Sequence, residues 1–303
     1  MQYNGAHYNV YNYYTNVFLN GNNEQNDLSD RDEKCPGWVD AIPGLEGWLS
    51  PVVQLIIAAL EPTKIYRVQH KSTSEDPGFV DLLIMIPANR GKPFAEMEPA
   101  VSLPFSTELE LHCTLHCESN VRRALENGHI FYTFTIKPEN LIYDSKASGP
   151  FPQPTAEALA ALRENTAIQW QQQSARALQF FDSAIALGAD NAALKVFMLH
   201  QAAELTLRAI IQNLIGTEKK THEIRVLKKH VRRVAPELSR VFSEEREEDV
   251  QLLQLFDEAY VKSRYDNQFS IREDQLNLLE KKVKNIIEKA AAAVQTQMDS
   301  LVP

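Results

Sequence analysis

The chain predicts an α+β protein in two parts, a small mixed α/β unit followed by an all-α, up-down helical bundle. Three observations predict it. Runs rich in β-branched and aromatic residues are confined to positions before 145. Ser148-Gly-Pro-Phe-Pro-Gln-Pro154 then packs three prolines and a glycine into seven residues, as a linker does. Beyond it, apolar residues recur at helical spacing between caps and glycine stops. With 303 residues, there is room for two domains of about 150 each. The expected divisions are an Asn/Tyr-rich segment at 1–44, an α/β domain at 45–147 and a bundle at 155–303.

Each element follows from local pattern. Leu45, Leu49, Val52, Val53, Ile56 and Leu60 form one helical stripe. Lys64–Val68 is β-branched and aromatic, and Phe79–Ile86 is a near-continuous apolar run ended by Pro87, as a central buried strand requires. Glu108–Cys117 reads as a third strand, Val121–Asn127 as a short helix closed by Gly128, and Phe131–Ile136 as an aromatic segment. In the bundle, Thr155 caps a helix running to Leu187 before Gly188, and Asn191–Ile215 ends at Gly216. Helices at Thr221–Val234, Asp249–Arg264 and Arg272–Met298 complete it.

Composition narrows the function classes. Lys and Arg number 31 against 40 Asp and Glu, a net charge of −9, which argues against a generally polybasic nucleic-acid binder. The acidity is uneven: residues 1–150 hold 11 basic and 19 acidic side chains, whereas 151–303 hold 20 and 21. No apolar run approaches the roughly 18 residues of a membrane span, and the N-terminus lacks the pattern of a signal peptide. Three cysteines, Cys35, Cys113 and Cys117, fit a reducing compartment, so the expected location is cytoplasmic, without membrane contact.

His112 and His116 interleave with Cys113 and Cys117, which raises a metal site. On a strand, however, 113 and 117 share one face and 112 and 116 the other, so no zinc is predicted.

The densest charge feature lies in the bundle. Lys219 and Lys220 precede Arg225, Lys228, Lys229, Arg232 and Arg233, and the last five follow helical spacing as one basic stripe. Such a stripe predicts either a solvated face or a phosphate-contacting surface. Arg225 and His230 stand five apart, about 140° around a helix. His200, beside Gln201, and His222, after a Thr that caps a helix, have structural explanations in hydrogen bonding. Tyr260, Arg264 and Tyr265 set a guanidinium between aromatic rings, which suits a phosphate or base contact, or else an ion pair with an acid such as Glu204.

The stretch His200-Gln-Ala-Ala-Glu204, the Thr221-His222 pair and Tyr260-x-x-x-Arg264-Tyr265 together resemble the HEPN domain family of helical bundles. The resemblance covers some 150 residues. In particular, the bundle is similar to HEPN domains fused behind a minimal polymerase-β-like nucleotidyltransferase domain, whose end resembles Gly128–Ile136 and Leu141–Asp144 here. That resemblance implies a Gly-Ser turn and an Asp-x-Asp pair with a third carboxylate for two Mg²⁺ ions. This chain has Gln69-His-Lys-Ser72 at the turn and Phe79-Val80-Asp81 at the pair, leaving Asp81 and Glu110. Many HEPN domains are ribonucleases that use Arg-x(4–6)-His, yet Arg264–Ile271 contains no histidine; the resemblance leaves Arg225 and His230 as the candidate catalytic pair, with a second spacing match at Arg123 and His129.

The expectation is therefore a HEPN protein with an inactive nucleotidyltransferase-like domain, with no cofactor unless that domain retains Mg²⁺ chemistry. It would bind nucleotide or RNA through Lys219, Lys220, His222, Arg225, Lys228, Lys229, Arg232, Tyr260, Arg264 and Tyr265. The resemblance implies a homodimer through the bundle and a toxin–antitoxin, defence or RNA-regulatory context, with the Asn/Tyr-rich segment available to a protein partner. The alternatives are a metal-independent HEPN endoribonuclease and a structural protein-interaction module.

Overall fold

The computed structural model describes residues 45, 47–70, 78–87, 93–101, 110–188, 191–266 and 268–301. The expected 1–44 segment, Cys35 and Glu108 lie outside them. A four-stranded sheet holds β1 (Lys64–His70), β2 (Phe79–Ile86), β3 (Glu110–Cys117) and β4 (Leu141–Asp144) in the order β3-β2-β1-β4. β1 pairs antiparallel with both β2 and β4, while β3 runs parallel to β2. Every residue of β2 is buried, as its unbroken apolar run requires of a strand covered on both faces.

The two faces of β2 divide the core. Val80, Leu82, Ile84 and Ile86 pack with Val53 and Ile56 of α1 (Leu49–Leu60) and with Met97 of α2 (Phe94–Val101). Leu83 and Met85 face Val121 and Leu125 of α3 (Glu118–Glu126) and Phe131 of α4 (Ile130–Thr135). Cys113 packs on the α1 side, away from His112 and His116. Several expectations change here. Helix α1 begins at Leu49, after Leu45, and Phe131–Ile136 is helical for all but its last residue. α2 carried no recognised signal and contains Pro99.

The proline-rich segment 148–154 has no helix or strand but is firmly held. Arg122 donates to the carbonyls of Gly149 and Pro150, Lys64 donates to that of Ser148, and Phe151 is buried against Tyr66 beneath the Arg122 guanidinium. Lys64, 2% exposed, completes its shell on Asp144.

The helical part begins with α5 (Ala156–Ala186), where the Thr155 hydroxyl accepts from Ala158 N as predicted. α6 (Ala192–Ile210) is the central helix, packed against α5, α7 (Ile224–Val231), α9 (Glu247–Tyr265) and α10 (Glu273–Asp299). Val196, Leu199, Ala203, Leu207, Phe256, Leu279, Val283 and Ile286 form its core. After Ile210 one π-helical stretch, Ile211–Ile215, precedes Gly216, whose positive φ of 74° ends the run. The helix expected at Thr221–Val234 covers only Ile224–Val231. The chain then turns through 232–235 into the short α8 (Pro236–Ser239). Among the described residues no helix is long and apolar enough to cross a membrane.

Candidate nucleic-acid interface

Two helical stripes meet at one end of the bundle. Phe197, His200 and Glu204 recur at i, i+3 and i+7 on α6, and Asp257, Tyr260 and Arg264 do the same on α9. Glu204 is only 2% exposed, so its charge needs donors. Three supply them: Gln201 Nε2 at 3.1 Å, Arg208 Nη1 at 3.2 Å and His222 Nδ1 at 3.0 Å. With Nδ1 turned to the carboxylate, His222 keeps its other ring nitrogen for solvent, and its side chain is 53% exposed.

His222 also stacks on Tyr260, with centroids 4.4 Å apart and planes within 14°. The Arg264 guanidinium carbon lies 4.3 Å from the Tyr260 ring, 5.2 Å from Phe197 and 5.1 Å from Tyr265. Its Nε donates to Tyr260 O, and it makes no ion pair among the described residues; the expected alternative partner, Glu204, is taken by Arg208 and His222. Tyr265 is 75% exposed. The site thus presents an uncompensated guanidinium and an open aromatic ring beside an imidazole backed by a carboxylate. Residues 171–295 match the HEPN domain family. No curated protein matches the chain.

Within the HEPN domain, His200 is fully buried between Glu204 and Asp257, with a ring nitrogen 4.0 Å from each and neither nitrogen in good hydrogen-bond geometry with a partner among the described residues. Burial, helped by the charges of His222 and Arg264, lowers it to about 3 and keeps it neutral. The expected hydrogen-bonding role is therefore not what holds it; its ring packs against Phe256 and Tyr260. Thr221 likewise does not cap α7. Its hydroxyl accepts from Glu223 N, while Asp257 of α9 accepts from Ile224 N at 2.6 Å and Arg225 N at 3.4 Å. Asp257 and Phe197 escaped the sequence reading, although the i, i+3, i+7 spacing to Tyr260 and Arg264 was available to find Asp257.

The basic stripe does not survive as one surface. Arg225 is exposed beside Glu223, and Lys219 and Lys220 lie on the loop before α7. Lys228 is 4% exposed and donates to Phe242 O, with Glu244 3.0 Å away. Lys229 faces outward, whereas Arg232 and Arg233 lie past the end of the helix and turn to the sheet. Arg232 pairs with Glu110 and covers the Phe79 ring; Arg233 pairs with Asp81. The last two stripe cations thus meet Asp81 and Glu110, the two carboxylates expected to remain from a nucleotidyltransferase-like site.

Those carboxylates stand diagonally on β2 and β3, since Phe79 is opposite Glu110 and Asp81 opposite His112. Asp81 also meets His70 at 2.9 Å, and Glu110 meets His112 at 3.0 Å. No three acidic, histidine or cysteine side chains among the described residues gather to hold a metal. Two acids each engaged by a guanidinium do not fit a two-Mg²⁺ centre. Arg225 and His230 sit apart on α7, and burial with the charges of Lys219 and Arg233 lowers His230 to about 4. Arg123 bonds to Asn120, and His129 packs on Tyr132.

Proposed function

We propose that the HEPN domain binds single-stranded RNA at the Arg264 face, Arg264 and His222 contacting phosphate and Tyr265 stacking on a base. The observation that carries this reading is the unpaired Arg264 guanidinium held over three aromatic rings, one of them largely open. Lys219, Lys220 and Arg225 border the His222 turn as further phosphate contacts. The α/β part is read as a nucleotidyltransferase-like domain without metal chemistry. In support, Asp81 and Glu110 serve as ion-pair partners of Arg233 and Arg232. A homodimer joined through the bundle, a cytoplasmic location and a toxin–antitoxin, defence or RNA-regulatory role belong to the same proposal. Fluorescence anisotropy with a labelled single-stranded oligoribonucleotide tests it: Arg264→Ala and Tyr265→Ala each weaken binding about tenfold, the loss of one stacking or phosphate contact. Unchanged affinity in both overturns it.

A second reading, a metal-independent endoribonuclease, is favoured by one observation. Glu204 orients the half-exposed His222 through Nδ1, and His222 and Arg264 both pack on the Tyr260 ring, which offers the histidine partner that Arg264–Ile271 lacks. Cleavage of labelled RNA in EDTA, lost in His222→Ala, selects this reading; equal cleavage by variant and wild type rejects it.

A further inference from the structure

A cleft of about 750 Å³ opens between β3 and the HEPN domain, on the side of α7 that carries Lys228 and Lys229. Its walls come from β3, α7, the turn at Arg232, the end of α8, the loop leading to α9, the first turn of α9, and α10. Along its lining, cations outnumber carboxylates seven to four among the described residues. The volume lies within the range of small-ligand sites, roughly 300–1,000 Å³.

The cations differ in how they are committed. Lys282 is bound to Asp249 at 2.7 Å and to Val241 O, and Lys228 to Phe242 O. Those interactions fix two ammonium groups within the wall. The Lys229 and Arg246 side chains are exposed and make no hydrogen bond or ion pair among the described residues. Glu244 lines the same cleft. Its side chain is 69% exposed, yet its carboxylate rests 3.0 Å from the Lys228 ammonium. The hydrogen bond from Lys228, reinforced by the charges of Lys229 and Arg232, holds that carboxyl below its ordinary range. Glu244 therefore behaves as an anion on a tether, occupying a positive cavity that solvent reaches.

We propose that this cleft binds a compact oligophosphate, two or three linked phosphates such as a nucleoside triphosphate or inorganic polyphosphate carries, in place of the Glu244 carboxylate. The phosphates sit against Lys228 and gain Lys229 and Arg246, whose side chains make no hydrogen bond or ion pair among the described residues. Linked phosphates bring several negative charges to a lining of seven cations, where a single phosphate brings at most two. This site is separate from the Arg264 face and stands on different residues.

Isothermal titration with inorganic tripolyphosphate, ATP and inorganic monophosphate tests the proposal on the full chain. Wild type binds tripolyphosphate at least tenfold more tightly than monophosphate. The double variant Lys229→Glu/Arg246→Glu binds it at least tenfold more weakly with an unchanged unfolding midpoint, both residues being exposed and unpaired. Glu244→Gln removes the competing charge and tightens binding severalfold. ATP binding more tightly than tripolyphosphate identifies a nucleotide as the source; weaker ATP binding identifies inorganic polyphosphate. Absence of tripolyphosphate binding at about 1 mM, an unchanged affinity in the double variant, or weaker binding by Glu244→Gln overturns the proposal. The titration contains no RNA, so its failure and a failure of the Arg264 variants to lose RNA are separate results.

Discussion

Arg233 pairs with Asp81 across 3.2 Å, joining the turn after α7 to the central strand of the sheet. The Asp81 side chain is 3% exposed, and its second oxygen meets His70. Removing the guanidinium strands most of a buried negative charge. Arg233→Met is expected to cost about 2–3 kcal/mol, read from urea unfolding. The Asp81→Asn/Arg233→Met double variant should lose less than the two single changes summed, and strict additivity would contradict the pairing.

Asp257 substitutes for a local cap on α7. Asp257→Ala leaves the Ile224 and Arg225 amides without their acceptor and should cost about 1 kcal/mol, while Asp257→Asn retains one acceptor oxygen and costs less. Because the cap anchors the turn carrying His222, RNA affinity should fall along with stability in the alanine variant. A stability loss alone would separate α7 capping from the Arg264 face.

Gly216 ends the π-helical stretch at a φ of 74°, and a Cβ there would overlap the His129 ring. Gly216→Ala combines a left-handed backbone with that overlap, at a cost of about 1 kcal/mol for the backbone alone and more with the clash. Adding His129→Ala should recover the clash portion in thermal melts. No recovery would place the whole cost in the backbone.

Acid should destabilise the protein through its buried histidines. An unfolded histidine takes a proton near pH 6.5, whereas His200 is held neutral down to about 3. The unfolded state then binds more protons than the native one. Stability that is full above about pH 6.5 drains away as pH falls toward 3, by about 2 kcal/mol at pH 5 from His200. Burial lowers His116 and His230 to about 4, which adds in the same direction. His200→Leu should therefore show a smaller drop in urea midpoint between pH 7 and pH 5 than wild type. An identical drop would mean that His200 does not set this dependence.

How far the sequence carried depended on whether the relevant partner was near in the chain. The uninterrupted apolar run of β2, the Thr155 cap and the Gly216 stop announce themselves over a few residues, and all three stand in the fold. The motif pieces Glu204, His222 and Arg264 were legible singly, and the fold links them through contacts with His222 and Tyr260. The basic stripe misled because helical spacing was extended through Arg233, two residues beyond the last turn of α7. The acids that claim Arg232 and Arg233 lie more than 120 positions upstream, where no periodicity points. Helix α4 and strand β4 were missed for a related reason. Phe131–Thr135 is an aromatic run whose helical state is set by packing on the sheet, and a four-residue strand carries little pattern of its own.

The Arg233–Asp81 contact also orders events during synthesis. The sheet is complete once β4 has emerged, at residue 144, but the guanidinium that satisfies Asp81 arrives nearly ninety residues later. A nascent chain in that interval carries Asp81 beside His70 without the Arg233 guanidinium that pairs with it in the finished fold. Maturation of the first half waits on translation of the second, and a ribosome that stalls before residue 233 leaves a layer whose charge is still open.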